Sequence, residues 1–88
     1  RTATNVNSNN MAELLIAPNP ASSYIRINMQ DNISRVNMYD FTGKLVYSEG
    51  PVQDNTMIIP LQNRAPGLYM VEVVTGSGTH SRRIIVTE

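Results

Sequence analysis

Apolar side chains in this chain recur at every second position, and that period of two confines them to β-strands with one buried face. Ile25, Ile27 and Met29 take one parity, while Tyr24, Arg26 and Asn28 take the other. Val36 and Met38 alternate with Arg35, Asn37 and Tyr39; Met57, Ile59 and Leu61 with Thr56, Ile58 and Pro60; Tyr69, Val71 and Val73 with Met70, Glu72 and Val74. No window places apolar residues at i, i+3, i+4 and i+7, and β-branched residues dominate the apolar set, so helices are not expected.

Turn-forming residues punctuate these runs. Pro18, Asn19 and Pro20 break the first strand, because proline cannot donate to a ladder. Gln30-Asp31-Asn32 separates the second run from the third, and Asp40-Phe41-Thr42-Gly43 reads as a tight hairpin with Gly43 supplying a positive φ. A longer loop covers Glu49 to Asn55, Asn63 to Gly67 turns the chain again, and Thr75-Gly76-Ser77-Gly78 closes a last hairpin. Seven strands are expected, near 13–17, 23–29, 33–40, 44–49, 56–61, 68–75 and 79–87, and seven short strands at this spacing indicate an all-β, antiparallel sandwich. Tyr69 follows Ala65-Pro66-Gly67-Leu68 at the head of the sixth strand. There its ring enters the core while its hydroxyl turns back onto upstream backbone, the tyrosine corner of Greek-key sandwiches.

A length of 88 residues holds one domain. Of these, 22 are Val, Ile, Leu or Phe, above the ~20% below which disorder becomes the default. Residues 1–12 are small and polar apart from Val6 and Met11, and read as a flexible linker ahead of a domain at 13–88. The chain starts at Arg1 with neither an initiator Met nor a signal peptide, so it is expected to be a piece of something longer.

Seven basic residues balance seven acidic ones, and the halves are equally flat: four basic and three acidic in 1–44, three and four in 45–88. No basic stripe exists to neutralise phosphates, so nucleic acid is not an expected partner. No apolar run approaches the ~20 residues of a membrane-spanning helix. The lack of cysteine removes disulfides, thiol catalysis and thiolate metal sites together.

Chemistry-bearing groups are scattered singly. His80 is the one histidine; nothing marks an acid to orient it towards Ser77 or Ser81, and a histidine at a hairpin end is expected at the solvated surface. Asp31, Asp40 and Asp54 fall at turns, Glu49 borders a loop and Glu72 fits an outward strand face, so no carboxylate pair is expected. Gly76-Ser77-Gly78 precedes no helix and is no phosphate loop. Tyr24, Tyr39 and Tyr47 could form a sugar-binding platform, but tyrosine also simply favours strands. An enzyme is not expected, and no catalytic, metal or cofactor residue is assigned. What remains is recognition.

Read in order, the chain carries Ile16-Ala17-Pro18-Asn19-Pro20-Ala21-Ser22-Ser23-Tyr24-Ile25-Arg26-Ile27, then Val36-Asn37-Met38-Tyr39-Asp40-Phe41-Thr42-Gly43-Lys44-Leu45-Val46. Ile59-Pro60-Leu61, Pro66-Gly67-Leu68-Tyr69-Met70-Val71 and Ser81-Arg82-Arg83-Ile84-Ile85-Val86 follow. Over 13–88 this order resembles the type A C-terminal sorting domain of the type IX secretion system of Bacteroidetes. The resemblance implies an immunoglobulin-like sandwich that carries a cargo protein through the periplasm and across the outer membrane. A surface sortase then usually cuts upstream of the domain, here in or before 1–12, and the cargo is attached to the cell surface. The partners so implied are the outer-membrane translocon, a shuttle protein and the sortase. The family's recognition region matches Arg82, Arg83, Ile84, Ile85, Val86, Thr87 and Glu88, while Pro18, Asn19, Pro20, Gly43, Gly67 and Tyr69 are its structural positions.

A free terminal strand fits such a role, because unpaired edge backbone accepts a partner's strand; Arg82 and Arg83 would equally guard that edge against aggregation. Exposed edges would also allow an isolated domain to swap strands with a second copy. Two other readings stand beside the secretion signal: an extracellular carbohydrate-binding or adhesion module of a larger enzyme, and a structural cap or dimerisation domain.

Overall fold

A computed structural model of the protein describes residues 14–87. Every named element in it is a strand: β1 Leu15–Ala17, β2 Tyr24–Asp40, β3 Leu45–Glu49, β4 Asp54–Pro60, β5 Gly67–Thr75 and β6 Gly78–Val86. The fold is all-β, and every pairing between these strands is antiparallel. The linker expected at 1–12, the start of the domain at 13 and Glu88 lie outside the described residues.

Two strands expected at 23–29 and 33–40 are one. The backbone stays extended through Gln30-Asp31-Asn32 and forms the 17-residue β2, around which the rest is built. Its first half lies between β1 and β4; its second half lies between β3 and β5, with β6 beyond β5. Ile33 is the crossing point, opposite Asp54 of β4 and also opposite Thr75 of β5. Two irregularities bend the strand there. From Asn28↔Thr56 to Ile33↔Asp54, β2 advances five residues while β4 advances two. From Ile33↔Thr75 to Arg35↔Val74 it carries one extra residue, Ser34. Bulges of this kind bend a strand and strengthen its twist.

The extra residue resets the buried phase. Ile25, Ile27, Met29 and Ile33 are buried on odd positions, Val36 and Met38 on even ones, and all six join one core cluster. Met57, Ile59, Leu61, Tyr69, Val71, Val73, Ile84 and Val86 complete its walls. The tip between β2 and β3 is a closed turn. Asp40 N–H donates to Lys44 O at 2.9 Å, Gly43 N–H donates to Asp40 O at 2.9 Å, and Gly43 takes φ +88°, a region open to glycine. Thr42 N–H (2.9 Å), Thr42 Oγ1 (2.6 Å) and Lys44 N–H (3.1 Å) all donate to Asp40 Oδ1.

Asp31, expected at a turn, instead projects from β2 and accepts a 2.6 Å hydrogen bond from Ser77 Oγ. That contact ties the bent middle of β2 to the β5–β6 hairpin.

Candidate functional site

Residues 82–87 form the end of β6 and its exit. Their backbone groups alternate between β5 on one side and the sheet edge on the other. In the register Thr75↔Gly78, Val73↔His80, Val71↔Arg82, Tyr69↔Ile84 and Gly67↔Val86, even-numbered residues of β6 bond to β5 and odd-numbered ones face outward. Ile84 and Val86 are buried; Ile85 stands on the opposite face at 49% exposed. Arg82 shares the parity of Ile84 but lies where the core no longer covers it, and its guanidinium donates to the Ser81 carbonyl at 2.9 Å. Arg83 shares the outer face with Ile85 and sits opposite Met70.

The outward edge is not free along its length, contrary to the expectation of an unpaired terminal strand. Asn19 and Ala21 occupy it from Arg83 to Thr87. Ile85 N–H donates to Asn19 Oδ1 at 3.0 Å, and Asn19 Nδ2 donates to Arg83 O at 3.4 Å. Ala21 N–H donates to Ile85 O at 2.8 Å, and Thr87 N–H donates to Ala21 O at 2.7 Å, a parallel bridge between Ala21 and Val86. Thr87 Oγ1 adds a 3.3 Å bond to the same Ala21 carbonyl. The Asn19 side chain therefore behaves as a peptide unit of an added strand, offering one donor and one acceptor in the right order. The physical reason lies in Pro18 and Pro20: neither can donate to a ladder, so β1 ends at Ala17 and the chain passes from the edge of β2 to that of β6.

What remains open on this edge is its first part, around Thr79 and Ser81. The structure thus brings Asn19 and Ala21 to the predicted recognition strand from more than sixty positions away in sequence. Pro18-Asn19-Pro20 was legible as a turn; that its asparagine closes the last strand was not, since nothing local signals so distant a pairing. Gly67 opens β5 with φ +150° and Tyr69 is buried.

The remaining candidate groups do not converge. His80 is half-buried instead of fully solvated, and its Nε2 is enclosed without a hydrogen-bond partner among the described residues. No cluster of three or more histidines, aspartates or glutamates that could hold a metal occurs among the described residues. No helix there is long and apolar enough to cross a membrane. Tyr24 is exposed at the start of β2, whereas Tyr39 is half-buried near the far end of the same strand and Tyr47 is half-buried on β3, so the three form no common platform. Tyr39 and Tyr47 have raised pKa values, Tyr47 to about 12. Burial is the largest cause for each, followed by hydrogen bonds to carboxylates, from Tyr39 to Glu72 and from Tyr47 to Glu49.

The family model for the secretion system C-terminal sorting domain matches residues 15–87, nearly the whole described fold. A search of curated proteins finds no match to the chain.

Proposed function

The chain belongs to the secretion system C-terminal sorting domain family, and on that footing we propose how its terminal strand serves type IX export. As a sorting domain it is a secretion signal, and it marks the protein that carries it for export to the cell surface or beyond. Domains of this family are non-catalytic and interact with the type IX machinery. The single observation that carries the reading is the extent of the family match, which runs from β1 through the end of β6.

In our reading, residues 82–88 are what the machinery recognises, with Arg82 and Arg83 as the charged contacts and the outer-membrane translocon, the shuttle protein and the surface sortase as successive partners. Residues 1–12 serve as the linker from an upstream cargo and 13–88 as the folded signal. The sortase cuts in or before that linker and leaves the cargo associated with the outer membrane. We further take the two halves of β2 as members of two packed layers, an immunoglobulin-like sandwich with seven strand segments. The support is that buried side chains from both halves enter one core. Self-association by strand exchange would use, in this reading, the open stretch near Thr79 and Ser81 or the outer edges of β1, β3 and β4, each of which pairs with β2 alone.

The test is a reporter that reaches the periplasm on its own export signal, expressed in a type IX-competent host with and without residues 1–88 fused behind it. The fusion should appear at the surface or in the medium while the bare reporter stays periplasmic. Equal retention of both would overturn the reading. Arg82→Ala combined with Arg83→Ala examines the strand itself, since exposed charges seldom contribute more than ~1 kcal/mol to stability. Normal delivery of that folded variant would reduce both arginines to guards of an edge.

A further inference from the structure

The outer face of β3, β2, β5 and β6 has two ends of opposite chemistry. One end is polar and satisfied within itself. Arg35 donates to Ser48 Oγ at 2.9 Å, Ser48 to Asn37 Oδ1 at 2.7 Å, Asn37 to Glu72 Oε1 at 2.9 Å and Tyr39 to the same oxygen at 3.2 Å. The other end is apolar and uncovered: Leu45, Leu68, Met70 and Ile85 are 37–49% exposed there, and Phe41 reaches 79% at the adjoining turn.

Register makes these residues neighbours. Tyr39 lies opposite both Leu45 and Met70, Met70 opposite Arg83, and Leu68 opposite Ile85. A groove of about 340 Å³ opens among Tyr39, Phe41, Leu68, Met70 and Arg83. Five large apolar side chains left together on one patch of so small a domain mark an interaction surface.

Arg83 is the cation of the groove and Asp40, held in its own turn beside Lys44, the anion. No carboxylate of the described residues lies within the 4.0 Å of an ion pair with its guanidinium. Asp40 also lines the groove, but Thr42 and Lys44 already donate to its Oδ1. A guanidinium beside apolar surface calls for a planar carboxylate, which it engages with two parallel bonds. Strand addition at this end of β6 is barred, because Asn19 and Ala21 hold the edge from Arg83 to Thr87. A ligand that lies along the groove between Phe41 and Arg83, away from the open edge of β3, meets the sheet over its face and engages it through side chains.

We propose that this groove docks an extended peptide segment of the type IX machinery, which seats one large apolar side chain against Phe41, Leu68 and Met70 and sets a carboxylate on Arg83. The inference rests on the reading of the chain as a sorting domain and names the chemistry of its partner. In an extended segment, side chains two apart share a face, so the recognised unit is an apolar residue and an acidic one at i and i+2.

The capped peptide Gly-Phe-Gly-Asp-Gly is the probe, titrated into the isotope-labelled 88-residue chain, with Gly-Phe-Gly-Asn-Gly as its control. Chemical shifts at Phe41, Leu68, Met70 and the Arg83 side chain should move with the acidic peptide. The asparagine peptide, or Arg83→Gln, should bind about threefold or more weakly, the span of one exposed ion pair. Shifts elsewhere, equal binding of the two peptides, self-association of the chain through this face, or capture by phosphatidylglycerol vesicles in place of peptide would each overturn the proposal. In cells, Leu68→Ser with Met70→Ser, checked for an unchanged amide spectrum, should lower surface delivery of the fused reporter at least tenfold. If that spectrum collapses, Arg83→Gln alone should lower delivery about threefold, in line with its loss of peptide binding. Full delivery by a folded groove variant beside a delivered wild type overturns the groove alone; a wild-type fusion that is never delivered overturns the sorting-domain reading with it.

Discussion

The Tyr69 hydroxyl donates a 2.7 Å hydrogen bond to the carbonyl of Ala65, four residues upstream. The ring behind it is 7% exposed within the core, so one side chain fastens the turn before β5 to the strand's own packing. Tyr69→Phe should lower unfolding free energy by about 0.5–1.5 kcal/mol, the net worth of one such bond. Tyr69→Ala should cost roughly 3–5 kcal/mol through the cavity it leaves. Urea unfolding of both variants measures the two figures, and a Phe variant as stable as wild type would show that the hydroxyl contributes nothing.

Asn19→Ala removes the side-chain bonds to Arg83 and Ile85 but leaves Ala21 in place. About 0.5–1.5 kcal/mol of stability should go with them. Amide hydrogen exchange at Ile85 should accelerate more than at Ile84, whose N–H faces β5. Uniform acceleration across β6 would mean that Asn19 steadies the whole strand and not its outer edge.

Ile84 and Ile85 are adjacent, with opposite exposure. Ile84→Ala should cost about 2–5 kcal/mol as a buried deletion. Ile85→Ala, on a side chain already 49% exposed, should stay within about 1 kcal/mol. Comparable losses in thermal unfolding would contradict the facing assigned to the terminal strand.

Asp40 is held below the usual carboxylate range, first by the Thr42 hydroxyl, against an opposing effect of burial, and further by the backbone N–H groups of Lys44 and Thr42 and the Lys44 charge. A carboxylate whose folded pKa lies below its unfolded value of about 3.9 stabilises the fold above that value, and the contribution is lost as pH falls through the folded pKa. Asp40→Asn should therefore lower stability at pH 7 and narrow its gap to wild type below about pH 4. Urea midpoints measured from pH 7 to pH 2.5 test this, and a gap that stays constant with pH would exclude the carboxylate as its source.

Where the chain stays in phase, alternation located its strands and their buried sides: Ile25 and Ile27, Val36 and Met38, Met57 and Ile59, Val71 and Val73 are all buried. The middle of β2 was missed because Gln30-Asp31-Asn32 has turn-like composition, whereas bulges let such residues sit in an extended strand with their side chains outward. The shift of the apolar phase from odd to even between Ile33 and Val36 was the available sign of an inserted residue. The cover on β6 left no such sign. Asn19 looks like any turn asparagine until the fold brings Ile85 beside it.

The bridge at Ala21 and the contact at Asn19 also set how the domain carries load. In the reading proposed above, a cargo joined ahead of β1 would pull on β1, and a partner holding the terminal strand would pull on β6. Asn19 and Ala21 join the two directly, through hydrogen bonds to Arg83, Ile85 and Thr87. Tension between the two would be shared by these bonds and by the β1–β2 ladder at Leu15, Ile16 and Ala17, which leads to the core packed around Ile33. The margin would thus link the two ends of the chain outside the core, so that a pull on both does not fall on β2 alone.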